Sequence, residues 1–264
     1  MINIQKYVRA QSLEEAYTLN QKKKNRILAG MLWTRMESGN VPVAIDLCDL
    51  GLDKIEENEE EFSIGAMVTL RHLQMHERFE NYCDGIVAKA VKDIIGVQFR
   101  NLATVGGSIW GRFGFSDVLT AFMALDTYVE LYKGGVIPLE QFARMQYDRD
   151  LLVRVIVKKK PGVFSYQAMR VQKTDFPILT CGVSRMDGVC KAVIGARPGK
   201  AVCIHDDRHL LDGEVTEKKA EAFAEYVAEQ VTTGSNMRGS AEYRTHLVKI
   251  LTGRGVMELG GVRA

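Results

Sequence analysis

Arg100-Asn101-Leu102-Ala103-Thr104-Val105-Gly106-Gly107-Ser108 is the stretch on which the reading of this chain turns. A hydroxyl precedes two adjacent glycines, and a second hydroxyl follows at once. Paired glycines allow a backbone to approach a flat or phosphorylated ligand closely, and Thr104 and Ser108 add hydrogen-bonding groups. A related site stands upstream in Arg26-Ile27-Leu28-Ala29-Gly30, a short buried strand ending in a glycine. There, exposed amides can turn toward an anion such as a pyrophosphate. A plain strand-to-turn glycine would look the same. The phosphate loop Gly-x-x-x-x-Gly-Lys-Ser/Thr, a Gly-x-Gly-x-x-Gly after a strand and the nucleophile turn Gly-x-Ser-x-Gly are all absent.

The elements around these glycines define the organisation. Ser12-Leu13-Glu14-Glu15 fits a capping box, Ser12 reaching forward and Glu15 back, and opens a helix to about Asn20. With the strand at 26–30 and an apolar run at 43–47, the first fifty residues read as a small β–α–β unit. A strand at 62–66, a helix capped by Thr69 and a helix from about 81 to 95 follow, and Gly106-Gly107 then breaks the chain. Ser116-Asp117 opens a helix to Leu125, and 127–132 alternates as a half-buried strand. Strand-like runs at 151–157, 163–169, 178–185 and 189–196, separated by turn signals, predict an antiparallel meander. Helical stretches near 205–211, 216–232 and 240–253 close the chain. The expectation is α+β, with residues 1–160 as one domain (subdomains about 1–55 and 56–160) and 161–264 as an α+β layer.

Composition narrows the function. The 264 residues carry 35 basic and 33 acidic side chains, a net charge of +2 that gives no field for nucleic acid or a membrane surface. No run approaches the roughly 18 to 20 apolar residues of a membrane span, and the first ten residues lack a signal peptide's apolar core, so a cytoplasmic protein is expected. The five cysteines are scattered singly, without the Cys-x-x-Cys pairs of zinc or iron–sulfur ligation. His72/His76 and His205/His209 have the spacing of two ligands on one helix face but lack a third ligand, so the sequence offers no metal site.

Taken together and in order, these segments resemble the FAD-binding medium subunit of the molybdenum hydroxylases, the family of xanthine dehydrogenase and carbon monoxide dehydrogenase. Arg26 to Gly30 looks like the first FAD loop, Arg100 to Ser108 looks like the family's Arg-Asn-x-Ala-Thr-Ile-Gly-Gly-Asn segment, and Ser116-Asp117 like its Ser-Asp. Gly195-Ala196-Arg197-Pro198, Ser240 and Tyr243-Arg244 are similar to its C-terminal domain. The resemblance implies a two-part FAD-binding domain of the molybdopterin dehydrogenase (PCMH) type, followed by an antiparallel sheet with helices.

It also implies a role. Electrons would pass from a molybdenum cofactor in a large subunit, through two [2Fe–2S] clusters in a small subunit, to FAD here and on to NAD⁺ or another acceptor. A dimer of heterotrimers is the assembly this implies. The backbone of Arg26, Ile27, Leu28, Ala29, Gly30, Met31, Leu32 and Trp33, and of Ala103, Thr104, Val105, Gly106, Gly107 and Ser108, would hold the pyrophosphate and ribityl chain. Ser116 and Asp117 would meet the cofactor, and Phe99, Ile94 and Leu152 would line the isoalloxazine pocket or serve as plain core. Several positions depart from the family, among them Leu32 and Trp33 after Gly30, and Ser108, which replaces an asparagine but keeps a hydrogen-bonding group. Met31 replaces a second glycine, which predicts a loop that resists positive φ, with added bulk beside the pyrophosphate. Gln167 stands where many members carry a flavin-contacting lysine, so a reduced, anionic flavin should form less readily. A non-redox assembly subunit with weakened FAD binding and a free-standing flavoprotein oxidoreductase are the alternatives.

Overall fold

A computed structural model describes residues 1–261. In chain order its first elements are β1 (Ile2–Arg9), α1 (Leu13–Asn20), β2 (Arg26–Leu28), β3 (Gly39–Asp46), β4 (Ile55–Glu57), β5 (Glu61–Gly65), α2 (Leu70–Gln74), α3 (Glu77–Tyr82) and α4 (Ile86–Val91). There follow α5 (Val97–Arg100), α6 (Val105–Gly111), α7 (Asp117–Ala124), β6 (Thr127–Leu131), β7 (Gly135–Pro138), α8 (Leu139–Arg144) and β8 (Leu152–Lys158). The last are β9 (Gly162–Met169), β10 (Leu179–Met186), β11 (Val189–Gly195), β12 (Val202–His205), α9 (Glu217–Gln230) and α10 (Ala241–Leu259).

The chain folds as two compact units. The first comprises residues 1–73, 97–111 and 128–157. It holds a three-stranded sheet in the order β1-β3-β2, both pairs parallel, and a five-stranded sheet in the order β4-β5-β8-β6-β7. α1 lies against β3 in a core formed by Ala10, Ala16, Ile45, Leu47, Leu52, Leu151 and Val153. Its start follows the predicted box in part. Ser12 Oγ accepts from Glu15 N at 3.1 Å, while Glu15 reaches one residue further back, to Gln11 N at 2.8 Å.

The second unit comprises 74–96, 112–127 and the chain from 158 onward. Its sheet, β12-β11-β10-β9, is antiparallel throughout and packs on α9 and α10 through Leu179, Cys181, Val183, Ile194, Phe223, Val227, Leu247 and Leu251. The helical segments at 74–96 and 112–127, read in sequence as part of the first 160 residues, belong to this unit by contact. Phe79 of α3 stacks on Phe122 of α7 with centroids 6.1 Å apart, and α7 packs on β10 and β11.

Several sequence expectations are corrected. β1 precedes the expected β–α–β unit, and its apolar pattern does not announce it because Asn3, Gln5 and Lys6 are exposed. The helix expected over 81–95 is interrupted. Asp84 and Gly85 take positive φ values of 53° and 70°, separating α3 from a short α4. Gly106 and Gly107 do not break the chain but lie inside α6. The strand at 151–157 leaves the meander for the five-stranded sheet, where Val153 O accepts from Ala66 N at 3.0 Å and Leu151 O from Tyr132 N at 2.9 Å. The fourth meander strand is β12, ahead of the helix expected near 205–211, which is absent. After β12 Asp206 accepts from the amides of Leu210 and Leu211 at 3.0 and 2.8 Å, and these bonds hold a turn.

Arg244 of α10 ties the loop before that helix to the sheet. It is 1% exposed and donates to the carbonyls of Ile178 (2.9 Å), Gly234 (2.7 Å) and Gly239 (2.5 Å) and to Asn236 Oδ1 (2.6 Å). Replacement by Met removes all four bonds and leaves the buried carbonyl of Ile178 without this donor, a loss of about 1 to 3 kcal/mol. Arg244→Met is expected to lower the unfolding free energy by about 2 to 3 kcal/mol in urea melts.

Candidate functional site

The site is built in the first unit from two segments distant in sequence. β2 pairs with β3 as far as Leu28, after which the chain turns at Ala29 and Gly30. The 103–106 segment is stitched to the loop after β5. Leu70 N donates to Ala103 O, Val105 N to Val68 O and Gly106 N to Ala66 O, each at 2.8 Å. Gly30 sits against the carbonyl of Leu102 so closely that a Cβ on Gly30 would overlap it. The glycine therefore has a steric reason to be there, which sequence alone left open between a ligand loop and an ordinary turn. Gly106 is held in the same way, since a Cβ there would lie only 2.5 Å from the Ala66 carbonyl oxygen and 2.7 Å from Ala66 Cβ.

The result is a cradle of backbone. Among the described residues, the amides of Gly30, Met31 and Leu32 donate to no protein acceptor. Successive amides of this kind, with one residue in the left-handed region, form the concave nest that binds anions. Met31 supplies that residue, at φ 56°. The expectation that Met31 would resist positive φ is thus corrected. Its side chain packs on Leu28, Val41 and Ala44, and this contact offsets a left-handed cost of about 1 to 2 kcal/mol. The bulk expected beside the pyrophosphate goes into the small core beneath the loop.

The second segment is similarly shaped. Thr104 caps α6, its Oγ1 accepting from Gly107 N at 3.0 Å, and Ser108 Oγ donates to Thr104 O at 2.9 Å. Ala103, Thr104, Val105 and Gly106 are buried, and Gly107 is exposed, presenting bare backbone. Phe99 on α5 is half-buried, Leu152 on β8 is buried and Trp33 is 43% exposed.

The remaining predicted residues lie in the second unit. Ser116 Oγ accepts from Leu119 N at 3.1 Å, so it caps α7. Asp117, 5% exposed, accepts from Tyr166 Oη and pairs with Arg170, which also donates to Asp175 O at 2.6 Å. Burial pushes the Asp117 carboxyl up to about 6, against Arg170 and Tyr166, which pull it down. Gln167 lies half-buried on β9, between the two residues that hold Asp117. Ile94, beyond α4, is also half-buried. Sequence reasoning missed Leu102 O, Ala66, Tyr166 and Arg170 as structural partners. Of these only Tyr166 and Arg170 carry polar side chains, and nothing in their spacing links them to Asp117.

The cysteines Cys83 and Cys181 are buried, and burial pushes both thiols up to about 12, as inert packing groups. No helix among the described residues is long and apolar enough to cross a membrane.

Comparison with known proteins defines the class. Residues 2–159 match the family described as FAD binding domain in molybdopterin dehydrogenase, and residues 164–259 match the CO dehydrogenase flavoprotein C-terminal domain. The chain belongs to this molybdenum hydroxylase flavoprotein family, with an FAD-binding PCMH-type domain followed by a domain of antiparallel sheet and helices. It is 25% identical over 276 residues to the nicotine 6-hydroxylase medium subunit of Paenarthrobacter nicotinovorans, with 97% of each chain covered. It is 26% identical over 216 residues to the xanthine dehydrogenase FAD-binding subunit of Escherichia coli O157:H7, covering 74% of this chain and 73% of that one. A chain of carbon monoxide dehydrogenase from Hydrogenophaga pseudoflava shares the fold, with a TM-score of 0.86 at 20% identity over 98% of each chain.

Two outcomes follow from this geometry. Gly30→Ala should cost about 2 to 3 kcal/mol of stability through overpacking against Leu102, measured by urea melts, and should weaken FAD binding in the same protein. Asp117 holds its proton in the folded chain at pH values where the unfolded chain has lost it. Its contribution to stability is therefore complete below about pH 4 and is lost as pH rises through about 6. Asp117→Asn should flatten the fall in unfolding free energy over that window. Glu80, pushed by burial to about 7, carries the part that persists.

Proposed function

We propose that this chain is the electron-transfer flavoprotein subunit of a xanthine dehydrogenase-like molybdenum hydroxylase. It works in the cytoplasm with a molybdopterin-binding large subunit and a [2Fe–2S] small subunit, in a dimer of heterotrimers. Electrons pass from the partner's clusters through FAD to NAD⁺ or another acceptor. The supporting observation is the run of three unpartnered amides, Gly30 to Leu32, beside the tightly stitched 102–107 segment. An anionic group matches that arrangement, and the family supplies one in the pyrophosphate of FAD.

In this reading residues 1–160 carry the FAD-binding half and 161–264 the C-terminal domain, of which 262–264 lie outside the described residues. The amides of Gly30, Met31 and Leu32 hold the pyrophosphate, and the bare backbone at Gly107 allows close approach of the ribityl chain. Phe99 and Leu152 give apolar walls to the ring. Asp117 holds α7 against β9, the strand that bears Gln167, and Ser116 caps α7. When bound, FAD supplies the conversion between single-electron and two-electron transfer, a chemistry that belongs to the cofactor and that the protein orients and tunes. The packing of Met31 into its own core favours this reading over a scaffold that has lost FAD.

The tuning is testable at Gln167. A lysine there restores a positive charge, which favours the reduced cofactor. Gln167→Lys should raise the two-electron midpoint potential by about 30 mV, roughly 1.4 kcal/mol, in a spectroelectrochemical titration of the FAD-loaded chain. An unchanged or lower potential would remove Gln167 from the flavin's surroundings.

A further inference from the structure

α3 and α4 form a short helical hairpin within the second unit, joined through two consecutive left-handed residues, Asp84 at φ 53° and Gly85 at φ 70°. α4 has six residues, too few to hold together by its own hydrogen bonds. Its N-cap, Gly85, brings no side chain to the orphan amides of the first turn. Glu80 of α3 takes over that role, its Oε2 accepting from Ala88 N at 2.9 Å. The other oxygen, Oε1, is enclosed and meets no hydrogen-bond partner among the described residues. The hairpin docks on the rest of its unit through three contacts. Phe79 stacks on Phe122 with centroids 6.1 Å apart, Tyr82 Oη donates to Lys158 O at 2.9 Å, and Asp84 Oδ2 accepts from Phe164 N at 3.1 Å.

A carboxyl in this position is at odds with its own charge. Burial pushes it up to about 7, and the Ala88 amide offsets only part of that. Among the described residues no cation pairs with it, and the titratable groups around it are committed elsewhere. On its own helix His76 Nδ1 accepts from Phe79 N at 3.2 Å, and Cys83 stays a thiol, pushed up to about 12 by burial and by the charge of Glu80. On α4 Lys89 pairs with Glu258, and Lys92 stands at the C-terminal end. On α7 and β9 Asp117, Tyr166 and Arg170 engage one another. The protonated acid still accepts from Ala88 N through its carbonyl oxygen. The ionised form is stabilised by swinging into water, and doing so breaks the Ala88 bond.

We propose that Glu80 is a pH-sensitive latch on the α3–α4 hairpin, closed while its carboxyl holds a proton and released when it ionises. The left-handed pair Asp84-Gly85 is the hinge on which α4 parts from α3. Asp84 also occupies the outward amide of Phe164 on the terminal strand β9, so release uncovers the start of that strand's edge.

Hydrogen exchange of the full chain, read by mass spectrometry and expressed as protection factors so that the intrinsic pH dependence of exchange is removed, follows the opening directly. Opening that returns Glu80 to an ordinary carboxyl should cost the α4 amides on the order of a hundredfold in protection between pH 5 and 8, levelling off above about pH 7. Glu80→Gln keeps the shape and cannot ionise, so its α4 amides should show a flat profile over the same range. Glu80→Ala, which removes the Ala88 bond outright, should also be flat but at low protection throughout. An equal fall in Glu80→Gln, or no fall in the natural chain, would overturn the proposal. If neither variant folds, a carbon-13 titration of the Glu80 carboxyl in the natural chain decides the matter. Its midpoint should coincide with the pH at which the loss of protection levels off, and a midpoint in the ordinary carboxylate range would assign the opening to another group.

Discussion

The approach of Gly30 to the carbonyl of Leu102 is the constraint on which the first unit's function depends. Two segments far apart in sequence meet there with no room for a single carbon between them. That contact needs β2 paired to β3 on one side, and the bonds from Leu70, Val105 and Gly106 on the other, before either loop has its shape. A protein interior does not deform to accept an extra methyl group at such a point. The loop from Gly30 to Leu32 is thereby held with its amides open, a cost that only a ligand or water repays.

The second unit uses a buried polar network where the first uses backbone closeness. Asp117, Tyr166 and Arg170 join α7 to β9, and Arg170 and Arg238 both engage Asp175 beyond the strand. Burial of a carboxylate is expensive, and here it is met by a phenol and a guanidinium at once. The network fixes the strand that carries Gln167 while leaving that strand's far edge unpaired.

Much of this fold was legible in the sequence because it rests on local chemistry. Ser12 and Ser116 announce helix starts, and the alternating runs of β9, β10 and β11 announce a meander. The misreadings have physical causes. Gly106 and Gly107 are weak helix formers, yet they lie in a helix because Gly106 must pass close to Ala66. The 151–157 run carries no mark of its partners, and it joined the sheet of β5 and β6 through long-range pairing. In the site, both glycine segments were legible as backbone features. The conformation of Met31 was not, because its left-handed geometry is stabilised by packing on Leu28, Val41 and Ala44. Nor was the partnership of Asp117, since Tyr166 and Arg170 come together only once β9 is laid down beside α7.

The central claim is that the open amides of Gly30 to Leu32 and the 102–107 segment form one cofactor cradle. Titration of the purified full chain with FAD, followed by the visible spectrum and by calorimetry, tests it most directly. The account predicts saturable binding of one FAD per chain, with heat that falls sharply when free pyrophosphate competes. A chain that takes up no flavin, alone or together with its partner subunits, would contradict it.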